Sequence, residues 1–270
     1  MKRLYRHISE KNLCSYISRR DRQVLLAPII VIISAEILIY SGHMLTGAVL
    51  HVITVLLLSL LLMWFPRSHV SMSFQILALL PIIRLLNISI PVFSEVTLSY
   101  FIFIYLPLLL PAYVAIRHQD RDLSQIGLTS QRLPIYIPLS ILVGGIMGWG
   151  ESMIIDAGNL MPDLSFASLL KLSLVMILIV GFTEELIFRS LLQTRMEDSF
   201  GKVAGLLIAS LLFGVMHSGY GTFYEILYTF LMGIVLGYMF QRTGSLPLVS
   251  LTHGFVNIFL FGLIPLLPYF

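Results

Sequence analysis

The stretch 183–189, TEELIFR, contains three ionisable residues in an apolar run and is the densest candidate for chemistry. Residues i and i+4 of a helix share a face, so Glu185 and Arg189 can pair. Glu184 is turned by about 100° from Glu185 and points away from that pair. We therefore expect one carboxylate to be anchored in an ion pair and the other to be free for proton chemistry. A purely structural ion pair with a spare glutamate is the alternative.

Two further apolar segments carry polar residues at helical spacing. Phe213 and His217 are separated by four positions, and so are His253 and Asn257. A lone histidine in a membrane helix is usually a hydrogen-bonding group between helices, so neither histidine alone indicates catalysis.

The depth of these residues along their helices indicates that they belong together. Counted from the nearest basic residues at the helix ends, Glu184 and His253 lie about 16 Å deep and His217 lies about 22 Å deep. All three depths fall near the middle of a hydrocarbon core roughly 30 Å thick. Unrelated polar residues would not be expected to agree in this way, so a common site is predicted.

Such a site has the groups needed to hydrolyse a peptide bond. A poorly solvated carboxylate is a stronger base than one in water, so Glu184 with His217 is suited to deprotonate a water molecule. His253 and the Asn257 amide are suited to donate hydrogen bonds to a developing oxyanion.

A zinc site is the alternative use of the same side chains. Glu184, His217 and His253 form a two-histidine, one-glutamate set of the kind that hydrolytic zinc sites use. The spacing does not require zinc, because three separate helices supply the ligands and the sequence has no HExxH pair. Cys14 is the only cysteine, so a cysteine-based metal site and an intrachain disulfide are both excluded.

The ordered motifs EExxxR, FxxxH and HxxxN resemble those of the CPBP family. They are formed by Glu184, Glu185 and Arg189, then by Phe213 and His217, and finally by His253 and Asn257. The family contains the type II CAAX prenyl endopeptidases and the bacterial Abi, or bacteriocin-immunity, proteins. The resemblance covers about 123–270, while 1–116 is similar only as additional membrane helices.

The resemblance implies a role for each motif. Glu184 and His217 are implied to activate water, and His253 and Asn257 to bind the oxyanion. The Glu185 and Arg189 pair is implied to be important for the site. The family implies a membrane-associated or prenylated peptide or protein as the substrate. We favour a reaction without a cofactor, with zinc as the open alternative.

The composition of the chain indicates that these motifs lie in a membrane protein. Of the 270 residues, 57% are hydrophobic and 11% are charged, against roughly 25% charged residues in a soluble domain. The sequence predicts an all-α polytopic transmembrane bundle in contact with lipid, with nine spans, or eight if one is re-entrant. The candidate spans are 24–41, 44–65, 74–93, 97–116, 134–154, 166–190, 203–218, 222–240 and 246–268.

Charge divides the chain and orients it. We expect a cytoplasmic basic tail (1–23), N-terminal transmembrane helices (24–116), a cytoplasmic linker (117–133) and a catalytic helical bundle (134–270). Basic residues such as Arg67 and Arg242 fall in alternate loops, and the intervening loops hold acidic residues such as Glu95. Basic loops favour the cytoplasmic side, so the predicted protein is a multi-pass protein of the cell membrane with its amino terminus inside.

Four further acidic or basic residues lie in or near the spans. Glu36 and Arg84 are both about 15–20 Å deep, where burying one charge alone costs about 2.5–3.5 kcal/mol. Opposite charges at matching depth predict a structural pair, and the alternative is that Arg84 lines a cavity and binds a substrate carboxylate. Glu151 and Glu225 lie near helix ends and are expected to extend to the membrane surface.

These observations favour an intramembrane glutamate-dependent endopeptidase over two other classes of protein. A proton-coupled transporter would favour two repeated halves, and none is apparent. A non-catalytic Abi-type immunity or scaffold protein is disfavoured by the intact motifs. Nucleic acid is not an expected partner, because the basic residues lie in short loops.

Overall fold

The computed structural model describes residues 17–64, 68–89, 97–129 and 131–267, and in these residues it contains helices and no strand. Nine of the helical segments within this part of the chain are long and apolar enough to cross a membrane, which confirms the predicted all-α bundle. They are α1 (Arg19–Tyr40), α2 (Met44–Trp64), α3 (His69–Ser89), α4 (Leu98–His118), α5 (Leu133–Ser152), α6 (Phe166–Phe200), α7 (Lys202–Val215, extended by a 3₁₀ turn at Ser218–Tyr220), α8 (Phe223–Thr243) and α9 (Leu246–Leu266).

Local capping explains why some helices differ from the predicted spans. Helix α1 begins at Arg19 rather than at residue 24, because Ser18 and Asp21 form a reciprocal capping box. Helix α6 continues to Phe200, ten residues past its predicted end, and Gly201 with φ of +89° terminates it. The end of the span was predicted from hydropathy alone. Residues 191–200 include several polar side chains, so hydropathy does not predict that the helix continues through them.

Helix α6 is not a uniform α-helix. It is π-helical over Met176–Gly181 and Leu186–Gln193, with one α-helical turn, Phe182–Glu185, between them. Short π-helical stretches are rare and often occur at functional sites. The two adjacent glutamates, Glu184 and Glu185, therefore lie on a short turn between two widened segments.

Helix α9 is the most buried span and α2 is the least buried. Helix α9 approaches α6 closely because both have a glycine at the crossing. A Cβ on Gly181 would lie 2.8 Å from the Ser250 carbonyl oxygen, and one on Gly254 would lie 2.6 Å from Ile177 Cγ1. Small residues allow such close approach between membrane helices.

The predicted linker 117–133 is held against the second half of the chain. Arg121 donates a hydrogen bond to the Ser190 carbonyl (3.1 Å), and the Ser190 hydroxyl donates to the Ile126 carbonyl (2.8 Å). The Leu246 amide donates to the Gly127 carbonyl at 2.8 Å. Residues 1–16 of the predicted basic tail, and the loop residues Arg67 and Glu95, lie outside the described residues.

Candidate active site

The predicted site residues surround two neighbouring spaces inside the bundle that share part of their lining. The large cavity has a volume of about 370 Å³ and is lined by parts of α3, α4, α6 and α9 and by the turn after α7. A smaller inner pocket of about 40 Å³ lies beside it. Glu184 and His217 line both spaces, and His253 and Asn257 line the inner pocket. The four predicted catalytic residues therefore share one pocket.

Glu184 is buried and has a partner that the sequence did not indicate. The Tyr105 hydroxyl of α4 donates a hydrogen bond to Glu184 Oε1. On the opposite side, His253 Nε2 lies 3.7 Å from Glu184 Oε2. Arg189 pairs with Glu185 as expected, and an α4 tyrosine holds one oxygen of Glu184.

Glu185 lies between two basic groups. Arg189 Nε is 3.0 Å from Glu185 Oε2, and both side chains are fully buried. This is an ion-pair distance, although the direction of the N–H bond does not meet hydrogen-bond geometry. His253 Nδ1 is 2.8 Å from Glu185 Oε1. Glu185 therefore contacts the expected arginine and also orients a histidine of α9.

The Phe213 ring connects the motif residues to one another. The Arg189 guanidinium lies over this ring at 4.5 Å from its centroid, a cation–π contact. The His217 and His253 rings lie 4.9 Å and 5.8 Å from it, centroid to centroid. A phenylalanine in this position offers an aromatic face to a buried cation and fixes two imidazoles without adding a polar group.

His217 lies just beyond the end of α7, with φ of −93° and ψ of 9°. Its Nδ1 is 2.9 Å from the Phe213 carbonyl oxygen, which can only accept a hydrogen bond. This contact assigns the proton to Nδ1 and leaves Nε2 as an acceptor. The ring also stacks on Tyr220, at 6.2 Å between centroids and 11° between planes. The stacked ring thus presents a basic nitrogen to the cavity.

The contact with Glu185 determines which ring nitrogen of His253 carries a proton. A carboxylate only accepts, so His253 Nδ1 donates to Glu185. To donate from Nε2 as well, the ring must carry both protons, and two glutamates are close enough to balance that charge. Asn257 lies one helical turn further along α9 and lines the same inner pocket.

Four residues near the site had no functional signal in the sequence. Tyr105 and Tyr220 line both spaces but belong to no motif. Glu151 and Glu225 are buried, and their carboxyl groups are neighbours. The expectation that these two glutamates extend to the membrane surface is wrong, because the helices that carry them enclose the inner pocket.

No group of three or more histidine, cysteine, aspartate or glutamate side chains within the described ranges could hold a metal ion. Glu184, His217 and His253, the set that zinc would use, are therefore not gathered as a ligand cluster.

Glu36 and Arg84 are in contact. Arg84 donates from Nε to Glu36 Oε1 at 2.8 Å and from Nη2 to Glu36 Oε2 at 2.6 Å. Arg84 also lines the large cavity, so the same side chain is both the partner of Glu36 and part of the cavity wall.

One comparison with known proteins found a match within the second half of the chain. Residues 166–259 match the family model described as type II CAAX prenyl endopeptidase Rce1-like, and they include all seven motif residues. No curated protein sequence and no solved structure matches the chain. The match at residues 166–259 confirms the resemblance to the CPBP family of membrane proteases that the three motifs predicted.

Proposed function

We propose that this protein is an intramembrane endopeptidase in which Glu184 and His217 activate water for attack on a peptide carbonyl. The observation that supports the proposal is one buried pocket lined by a glutamate, two histidines and an asparagine. His217 Nε2 has no proton in the assigned tautomer and is therefore able to accept one. Tyr105 fixes the Glu184 carboxylate beside it.

The reaction begins when a water molecule gives a proton to the pair Glu184 and His217. The water oxygen forms a bond to the peptide carbonyl carbon, and the carbonyl oxygen becomes an oxyanion. The C–N bond then breaks, and the leaving nitrogen takes the proton that the pair has held. The products are a carboxylic acid and an amine, so no oxidant, reductant or cofactor is consumed.

The oxyanion needs hydrogen-bond donors in a place that excludes water. His253 Nε2 and the Asn257 amide supply them in this mechanism. Glu185 accepts from His253 Nδ1 and keeps the ring in one orientation, and Arg189 holds Glu185. The EExxxR motif thus supplies the base and the support for the oxyanion donor from adjacent positions.

The proposed substrate is a membrane-associated or prenylated peptide or protein. The matched family is described as prenyl endopeptidases, and a site between membrane-spanning helices suits a substrate whose lipid chain lies in the bilayer. Cleavage of matched peptides with and without a farnesyl group would show whether the lipid is required.

We also propose that the amino terminus faces the cytoplasm of the cell. The helix ends that share a side with the start of α1 carry Arg117, Arg195, Lys202 and Arg242, and the opposite ends carry acidic loop residues. Basic loops are retained on the cytoplasmic side.

Substitution of Glu184 tests the mechanism. Glu184→Gln keeps the shape of the side chain but removes the base, so we expect loss of cleavage with nearly unchanged folding. The assay uses purified protein and a fluorogenic peptide ending in a farnesylated CAAX sequence. Glu197→Gln is the matched control, because Glu197 lies on the same helix and accepts from Gln193 and Gln241 away from the cavity. Near-normal turnover by Glu184→Gln would refute the mechanism.

A second prediction concerns metal ions. We expect cleavage to continue after exhaustive removal of divalent cations, since no residue in the proposed reaction acts through one. Metal content is measured in the same preparation as activity. Stoichiometric zinc, with activity lost on stripping and restored by zinc alone, would establish the zinc alternative.

A further inference from the structure

A buried polar network connects the N-terminal helices to the turn that carries His217. Glu36 accepts from Arg84 at two points and from the Ser218 hydroxyl at 2.6 Å. His51 Nε2 lies 3.1 Å from Glu36 Oε1. All four side chains are buried. The network therefore contains α1, α2, α3 and the 3₁₀ turn after α7.

Arg84 also binds the residues on both sides of His217. Its Nη2 donates to the Met216 carbonyl and lies 3.2 Å from Ser218 Oγ. The last carbonyls of a helix have no partner within the helix, and Met216 directly follows α7. Arg84 thus supplies a donor that α7 itself lacks, at the peptide immediately before His217.

The position of His217 makes these contacts important. His217 lies beyond the last α-helical residue of α7, and its amide donates to the Gly214 carbonyl at 3.0 Å, three residues back, instead of following the four-residue pattern of the helix. A displacement of about 1 Å in a catalytic group is enough to reduce a rate about 100-fold. The groups that hold Met216 and Ser218 therefore contribute to the position of the His217 ring, together with its contacts to the Phe213 carbonyl and the Tyr220 ring.

We propose that Arg84, held by Glu36, is a positioning residue for His217. This inference rests on the function proposed above, because it assigns His217 the role of activating water. Arg84 fits a positioning role better than a substrate-binding role, since its Nε and Nη2 are already bonded to Glu36 and the Met216 carbonyl. Glu36, His51 and Arg84 lie outside the matched residues 166–259, so three additional helices contribute to the geometry of the site.

Two substitutions test the proposal with different severity. Arg84→Lys keeps the charge beside Glu36 but cannot bind Glu36 twice and the Met216 carbonyl together. Ser218→Ala removes one hydroxyl and leaves the ion pair in place. Gln119→Ala is the control, because Gln119 accepts from buried Arg195 at 2.6 Å and 3.0 Å at the opposite end of the bundle.

Each protein is examined by melting in detergent, by kcat and KM on the farnesylated CAAX peptide, and by NMR of ¹⁵N-labelled histidine. The His217 signal is assigned from its absence in His217→Gln. We expect Arg84→Lys to lower kcat about 10- to 100-fold with KM unchanged and to shift the His217 signal. Ser218→Ala should give smaller changes in the same direction, and Gln119→Ala should leave kcat and the His217 signal unchanged.

Three outcomes would overturn the proposal. An unchanged His217 signal and kcat in Arg84→Lys would show that the network does not position the ring. A raised KM with unchanged kcat and signal would make Arg84 a receptor for a substrate carboxylate. If Arg84→Lys does not fold, an unchanged His217 signal in Ser218→Ala is sufficient to refute the proposal. The NMR result does not depend on the proposed reaction, so an active Glu184→Gln would refute that reaction without deciding the role of Arg84.

Discussion

At the scale of single residues, the His253 imidazole lies between two carboxylates that have different partners. Its Nδ1 is 2.8 Å from Glu185, and its Nε2 is 3.7 Å from Glu184. Glu185 is shared with Arg189, whereas Glu184 is shared with Tyr105. The two adjacent glutamates therefore differ in their neighbours, and in the proposed mechanism Glu185 supports His253 while Glu184 takes part in proton transfer.

Removal of the Glu185 charge should affect folding and activity together. In Glu185→Gln, fully buried Arg189 would lose its only carboxylate contact among the described residues. Breaking a buried ion pair from one side costs about 3–5 kcal/mol of unfolding free energy. We expect a lower melting temperature in detergent and little cleavage. Arg189→Leu should lose stability as well, while Glu197→Gln should not.

The result for Glu185→Gln is to be compared with that for Glu184→Gln, which should lose activity alone. If Glu185→Gln melted like the unsubstituted protein and cleaved the peptide normally, the supporting role of the pair would be wrong.

Spacing within one helix predicts neighbours, but it does not predict partners from other helices. The i,i+4 rule placed Glu185 beside Arg189 correctly, because both belong to one stretch of α6. It could not find Tyr105, one of 12 tyrosines in the chain, because the contact with Glu184 joins residues 79 positions apart. A separation of 68 positions likewise concealed the contact between His253 and Glu185.

At the scale of helices, the crossing of α6 and α9 brings Glu185 and His253 together. Gly181 and Gly254 have no side chains to separate the two backbones. The π-helical stretches of α6 begin and end around the same crossing. The site thus depends on how closely two helices approach as well as on the polar groups that they carry.

Addition of one methyl group at this crossing should separate the helices. In Gly254→Ala the new Cβ would lie 2.8 Å from Ile177 Cα, so backbone must move. Overpacking of this kind costs about 1–3 kcal/mol of unfolding free energy. We expect a lower melting temperature and reduced cleavage, measured on the same preparation.

Gly145→Ala is the control for this prediction. The three atoms nearest to its Cβ would all belong to the Phe259 ring, the closest at 3.1 Å, and a side chain can move aside more easily than backbone. If the two substitutions lowered the melting temperature and cleavage equally, the distance between α6 and α9 would not be the cause of the effect in Gly254→Ala.

Hydropathy predicted where helices exist better than it predicted their form. All nine spans were found because each contains a long run of mostly apolar residues. The extension of α6 to Phe200 and its π-helical stretches were not found, since polar residues at a helix end and a change of hydrogen-bond register leave no hydropathy signal.

At the scale of the whole molecule, a buried ion pair joins the N-terminal helices. Reversing the charge of Glu36 on α1, or of Arg84 on α3, should lower the free energy of unfolding by about 3–5 kcal/mol. The double variant Glu36→Arg with Arg84→Glu should recover part of this loss. Melting of the three variants in detergent measures the recovery.

Recovery should be incomplete because the pair has further contacts. A glutamate at position 84 would face the Met216 carbonyl, which accepts from Arg84 and cannot donate. An arginine at position 36 would lose the hydrogen bond from Ser218. No recovery at all in the double variant would show that the ion pair does not hold these helices together.

More than half of the cavity wall comes from parts of the chain that contain no motif residue. Eight of the fourteen residues that line the large cavity lie outside residues 166–259, and six of these eight belong to α3 and α4. Substitutions at positions such as Asn87 and Tyr100 would therefore reshape the space for a ligand without replacing any motif residue. Selectivity and reactivity can thus diverge independently, so two proteins that share all three motifs need not share a substrate.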